Sequence, residues 1–158
     1  MTMNPLELIR REHEILIADL QEFDFIIHSE PINYPNLIHI FKRLDQFWKE
    51  HEDKEERVFN FLDSKGIAVP IKKILFEHGN LRSYRKKLID SINSGSEYNI
   101  KQTLENEGVK LLNEIKGHIE REEWVLVSIK WETITLSKNE ELAMEKMLKH
   151  FNFNEDEQ

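Results

Sequence analysis

Apolar residues recur along most of the chain at alternating intervals of three and four, the spacing that lays a stripe down one face of a helix. The first stripe is Leu6, Ile9, Leu16, Leu20, Phe23 and Ile27, with His13 in step. Asn4-Pro5 supplies a cap and a first-turn proline, and His28-Ser29-Glu30-Pro31 ends the helix. A second helix is predicted over about 36–65, with Leu37, Phe41, Leu44, Trp48, His51, Glu55, Val58 and Leu62 in register and Gly66 as its stop. The third carries Ile71, Ile74, His78, Leu81, Arg85, Leu88 and Ile92 up to a Ser94-Gly95-Ser96 turn. The fourth, from about residue 99, carries Leu104, Gly108, Leu111, Ile115, His118, Glu122, Val125 and Ile129.

Residues 131–136, WETITL, read as an extended connector. Ser137 and Glu140 then have capping-box spacing and open a shorter fifth helix, about 137–151, with Leu142, Met144, Met147, Leu148 and Phe151 on one side. Four long helices with short links predict an all-α protein: an antiparallel up-down-up-down four-helix bundle over about 4–130, with an additional short C-terminal helix, the whole 1–158 forming one domain.

Counting along the helices gives the heights of the polar intruders. His13 lies 15 residues before His28, His51 15 after Asn36, His78 17 before Gly95 and His118 19 after Asn99. At ~1.5 Å per residue all four histidines fall in one layer. Six seam positions that should be apolar thus hold His13, His51, Glu55, His78, His118 and Glu122, with Arg85 as a further charged exception.

Composition narrows what that layer is for. With 22 Lys+Arg against 30 Asp+Glu the net charge is -8, which argues against a nucleic-acid or anionic-membrane partner. There are 0 Cys, so disulfides, thiolate chemistry and the usual structural zinc sites are excluded. The charged start MTMNPLELIRREHE has no apolar signal core, and no run approaches the ~20 apolar residues of a membrane span, so a cytoplasmic location is expected.

A lone histidine on a helix seam is usually a hydrogen-bonded core residue, and EHEDKEER alone looks like a solvated face. Six such positions in one layer are another matter. In FWKEHEDKEERVF and KGHIEREEWVL a His precedes a Glu by four residues, so both side chains project from one face as a two-pronged clamp. Burying an unpaired carboxylate is costly, and two beside four imidazoles need compensating positive charge. Two divalent ions supply it, with carboxylates able to bridge them. A nitrogen- and oxygen-rich, sulfur-free set suits iron or manganese, with zinc also accommodated. Three protein ligands per ion leave coordination positions for a small molecule.

At these residues the sequence resembles the hemerythrin-like (HHE cation-binding) domain family. The motifs are R-E-H-E around His13, H-E-D-K-E-E-R-V-F from His51, E-H-G-N-L-R around His78 and H-I-E-R-E-E-W-V-L from His118. The resemblance implies a non-haem di-iron centre, oxo- or hydroxo-bridged, in which Glu55 and Glu122 bridge the irons and the four histidines complete the ligand set. Oxygen-carrying members have a second histidine four residues from the third-helix ligand, where Ile74 and Arg82 stand here. They also have an aspartate at a longer spacing in the last helix, where Glu122 stands here. Both departures are similar to four-His, two-Glu members, including those linked to repair of iron centres under nitrosative stress. With 0 Cys, the sequence is not expected to carry the Cys-containing region usual in that branch.

Ile9, Leu16 and Ile17 near His13, Phe47 and Trp48 before His51, Phe59 after Glu55 and Leu126 after Glu122 are expected to line a dry pocket. Glu12, Glu50, Glu52, Glu56, Glu77 and Glu123 adjoin the six; some are expected to hydrogen-bond the outer histidine nitrogens and most to be solvated, with Glu52 a candidate extra ligand. Tyr84 is within reach from the third helix. The expected function is binding, sensing or reducing a small oxidant: O2, peroxide or NO. The alternatives are an iron-handling, sensor or repair protein acting through a partner, or a purely structural metal site. The apolar side of the fifth helix is the candidate surface for a protein partner or a homodimer.

Overall fold

Asn4 opens the first helix of the computed structural model, which describes residues 3–155, with side chains as far as residue 149. Its side chain accepts the Glu7 N–H at 3.0 Å, and Pro5 takes the first helical position, where an N–H would have no partner. Helix α1 (Pro5–Ile27) ends at His28 as expected, although Ile26 rather than Ile27 completes its buried stripe. Helix α2 (Tyr34–Ser64) begins two residues before the expected start because Asn33 is its cap, accepting the Asn36 N–H at 3.1 Å. Gly66, at φ 76°, makes the turn towards α3 (Ile71–Asn93).

Ser96 caps α4 (Glu97–Thr103), which runs without a break in helical backbone through a π-helical turn, Leu104–Gly108, into α5 (Val109–Val127). Together these make the fourth long rod. A Cβ on Gly108 would come within 3.3 Å of Leu104 Cδ2, so the wide turn closes on a residue with no side chain. Successive packing of α1 on α2, α2 on α3, α3 on α5 and α5 on α1 closes the four-helix bundle, and no strand occurs among the described residues.

The apolar interior is split in two. One cluster joins Leu16, Phe23, Phe41, Trp48, Leu81, Leu111 and Ile115; the other joins Leu8, Ile9, Val58, Phe59, Ile74 and Leu126. On every rod the polar seam residue falls between them: His13 between Ile9 and Leu16, His78 between Ile74 and Leu81. The two cores grip the polar layer from both sides and exclude water from it.

Residues 131–136 depart from the extended reading. Trp131–Thr133 forms a 3-10 turn, closed by the Ile134 N–H on the Trp131 carbonyl, and the chain becomes extended at Ile134. Helix α6 (Lys138–Glu155) opens with the expected capping box: the Ser137 N–H donates to Glu140 Oε1 at 2.8 Å and the Glu140 N–H to Ser137 Oγ at 3.2 Å. Lys65 at the end of α2 reaches the same Glu140 oxygen. The apolar strip of α6 is not a free face. Met144 and Met147 are buried in the second cluster with Leu148 packed against it, while Leu142 is exposed. Phe151 lies beyond the described side chains.

Candidate metal centre

The six predicted residues meet in one buried layer. His13 comes from α1, His51 and Glu55 from α2, His78 from α3, and His118 and Glu122 from α5, and each is at most 1% exposed. They form two groups whose donor atoms lie within 4.8 Å of one another: His13, His51, Glu55 and Glu122, and Glu55, His78, His118 and Glu122. The two glutamates belong to both groups.

Glu55 stands in the middle. One of its oxygens lies 2.6 Å from His51 Nε2 and 3.1 Å from His13 Nε2, and the other 2.7 Å from His78 Nε2 and 3.5 Å from His118 Nε2. Glu122 mirrors it, with one oxygen against His13 Nε2 at 3.2 Å and the other against His118 and, at 3.5 Å, His78. All four Nε2 atoms therefore face inward.

The outward nitrogens explain why. His51 Nδ1 donates to Glu12 at 3.0 Å, His78 Nδ1 to Glu56 at 3.0 Å, His118 Nδ1 to Glu77 at 2.6 Å and His13 Nδ1 to Glu123 at 2.8 Å. An ionised carboxylate only accepts, so each Nδ1 carries the proton and the tautomer is set. Each acid is itself held by a cation from the same helix as its histidine: Lys54 on Glu12, Arg82 on Glu56, Arg121 on Glu77 and Arg10 on Glu123. Around the bundle, every rod hands one carboxylate to the histidine of the next, and the ring closes.

The carboxylates of the layer favour the protonated form of its histidines. Burial pulls His78 down, but the Glu122 and Glu55 carboxylates outweigh it and raise the group to about 11; His118 is raised to about 10 by the same pair against the same burial. Burial likewise opposes ionisation of Glu55, yet the surrounding His51, His118 and His13 hold it well below the usual carboxylate range. Proton sharing does not satisfy the layer. His51 Nε2 and both Glu122 oxygens are buried in ion-pair contact but without a well-aligned hydrogen bond, and His78 Nε2 and His118 Nε2 face each other at 3.0 Å. Donors aimed at common points rather than at one another fit metal ions, and imidazole with carboxylate suits iron, manganese or zinc.

Several expectations for the surroundings are corrected. Glu12, Glu56, Glu77 and Glu123 are not solvated bystanders but the acceptors of the ring. That some of the six neighbouring acids would bond the outer nitrogens is expected from the sequence; which four do so is not, because charge runs such as EHEDKEER look like a surface. The available signal was adjacency: a residue next to an inward-pointing ligand is turned by about 100° and so faces the neighbouring helix. Glu50 is exposed and bonded by Gln46, as expected of a solvated acid.

Glu52 is buried, accepts the indole N–H of Trp48 at 2.9 Å and pairs with Arg82. Its oxygens lie near those of Glu56 and a nitrogen of His78, but the Arg82 guanidinium already bridges the two carboxylates. That makes Glu52 a support for the layer and a poor extra ligand. Arg85 turns inward near Asp45 and Glu52 and over the Trp48 ring.

Ile9, Leu16, Trp48, Phe59 and Leu126 are buried around the layer, and Trp48 packs 5.4 Å from the His51 ring and 6.0 Å from that of His118. Phe47 is half-buried. Ile17 is 41% exposed and shares a charged surface cavity with Arg10, Arg11 and Glu14, because Leu16 takes the inward position one turn from His13. Tyr84 packs against the first apolar cluster, and Trp124 is exposed. No helix among the described residues is long and apolar enough to cross a membrane.

Comparison with curated proteins and with solved structures gave no match. The family profile described as Hemerythrin HHE cation binding domain matches residues 4–129, which takes in α1 to α5 and all six residues of the layer. Bundle, layer and profile agree: the chain belongs to the hemerythrin HHE cation-binding domain family.

Proposed function

We propose that this chain holds two metal ions, iron by preference, and that the loaded protein binds, senses or reduces a small oxidant. His13 and His51 would hold one ion, His78 and His118 the other, and Glu55 and Glu122 would bridge them. The sharing of both glutamates between the two donor groups is the observation that carries this reading. A pair of iron ions, when bound, supplies one- and two-electron redox chemistry and open coordination positions for O2, peroxide or NO.

The chain's own residues account for the rest. The ring of Glu12, Glu56, Glu77 and Glu123 fixes each imidazole in the Nδ1-protonated form and makes its Nε2 a better donor. Leu16 and Trp48 on one side and Ile9, Phe59 and Leu126 on the other keep water out, which protects a reduced centre from unproductive loss of electrons. Arg82, bonded to both Glu52 and Glu56, ties this protected layer to the protein surface through His78.

The test is anaerobic loading with ferrous iron, followed by rapid mixing with peroxide, O2 or NO under optical detection. The reading expects a near-ultraviolet and visible spectrum that changes in proportion to bound iron with at least one of the three. Identical spectra before and after every oxidant would refute it.

A further inference from the structure

A cavity of about 330 Å³ lies between α3 and α5, and Glu122 is part of its wall. This contact stands out because both Glu122 oxygens are buried, and although histidine nitrogens lie against them neither makes a well-aligned hydrogen bond. Pro70, Ile74, Trp124 and Val125 form its apolar walls, and Lys73 is part of its charged lining. Of the remaining charged lining, Glu77 and Arg121 are bonded to each other at 2.7 Å and Glu77 is further engaged by His118, while Lys73 is exposed at the surface. Trp124 is 79% exposed, so the cavity begins at the surface, whereas Ile74 is buried in the second apolar cluster. A second cavity touches the layer at His13, but charged groups line it (Glu7, Arg10, Arg11, Glu14 and Glu123), and Glu123 already occupies the nitrogen His13 turns outward.

We infer that the α3–α5 cavity is the doorway through which a small, neutral, weakly polar oxidant reaches the Glu122 side of the centre, and that Ile74 is the specificity-determining gate. This rests on the reading of the protein as one that meets a small oxidant. Its own content is the route and the class. A diatomic such as O2 or NO partitions into a passage walled by Ile74, Val125 and Trp124 without losing hydration. An anion such as nitrite or superoxide must shed water there and approach a buried carboxylate. Ile74 stands one turn from His78, so its side chain controls the last step before the layer.

Two measurements test this separately from the chemistry. In the metal-free full-length chain, dissolved O2 at elevated pressure should broaden the methyl NMR signals of Ile74 and Val125 well beyond those of Leu88 and Leu111 in the other cluster. Equal broadening throughout, or broadening centred on Ile17, overturns the doorway. In the iron-loaded chain, Ile74→Trp should slow the reaction with O2 and NO by about tenfold or more, and Ile74→Ala should speed it, at unchanged iron content. A wild-type protein that reacts, with both variants reacting at the wild-type rate, overturns the gate but leaves the oxidant reading intact. A wild-type protein inert to every oxidant while O2 still singles out Ile74 and Val125 overturns the oxidant reading and supports the route.

Discussion

Glu56 on α2 accepts the Nδ1 proton of His78 on α3 at 3.0 Å; His78 lies within the layer and Glu56 follows its Glu55 in sequence. The same relationship joins Glu12 to His51, Glu77 to His118 and Glu123 to His13. Bundle packing and ligand orientation are therefore one set of contacts: the acids that hold the histidines also tie each rod to the next.

Removing one link should weaken metal binding without unfolding the bundle. Glu56→Ala frees the His78 ring and strips a partner from Arg82, and metal affinity is expected to fall by about 10- to 100-fold. Competition against a chromophoric chelator measures this. Glu50→Ala, at an exposed acid bonded to Gln46, is the control and should leave affinity unchanged.

The shared glutamates make a stoichiometric prediction. His51 belongs to one donor group and Glu55 to both. His51→Ala should therefore leave about one ion per chain, and Glu55→Ala should leave close to none, as read by elemental analysis. Equal losses in the two variants would show that the groups do not share Glu55.

Protons and metals compete for the same nitrogens. His78 and His118 lie at about 11 and about 10 in the metal-free fold, against an ordinary 6.5. Their folded values are raised, so their share of metal-free stability is complete below pH 6.5 and is lost as pH climbs through 10 to 11. Glu55 and Glu12 are held below 4.5, so their share is complete above pH 4.5 and is lost on acidification. The metal-free melting temperature should be highest between these limits and fall on both sides. Metal affinity should rise with pH across the neutral range, and binding should release protons, seen in calorimetry as a heat that varies with buffer.

Helix α6 should matter for stability. Met144 and Met147 are buried against the cluster that contains Phe59, Ile74 and Leu126. Met147→Ala is expected to cost about 2 kcal/mol, and Ser137→Ala about 1 kcal/mol through loss of the cap, both measured by urea unfolding. Removing residues 137–158 should lower stability by more than either and expose apolar surface to a dye.

Much of this was legible in the sequence because helix periodicity turns spacing into direction. The three-and-four stripe placed His13, His51, Glu55, His78, His118 and Glu122 on inward faces, and counting from the turns put them in one layer. What periodicity cannot supply is the angle between neighbouring rods. That angle selects Glu56 over Glu50 from a run of equivalent acids and turns Arg85 in towards Asp45. Nor does it mark a π-helical turn, which looks like ordinary helix in LENEG. The apolar strip of α6 was visible, but its partner was not, since Leu8, Phe59 and Leu126 come from three other helices.

The most direct test of the central claim is iron per folded chain, by elemental analysis after anaerobic loading and removal of unbound metal. The shared-glutamate layer predicts two irons per chain, bound together. One iron per chain, or none in a protein that remains fully helical, would contradict a centre built on Glu55 and Glu122 as common ligands.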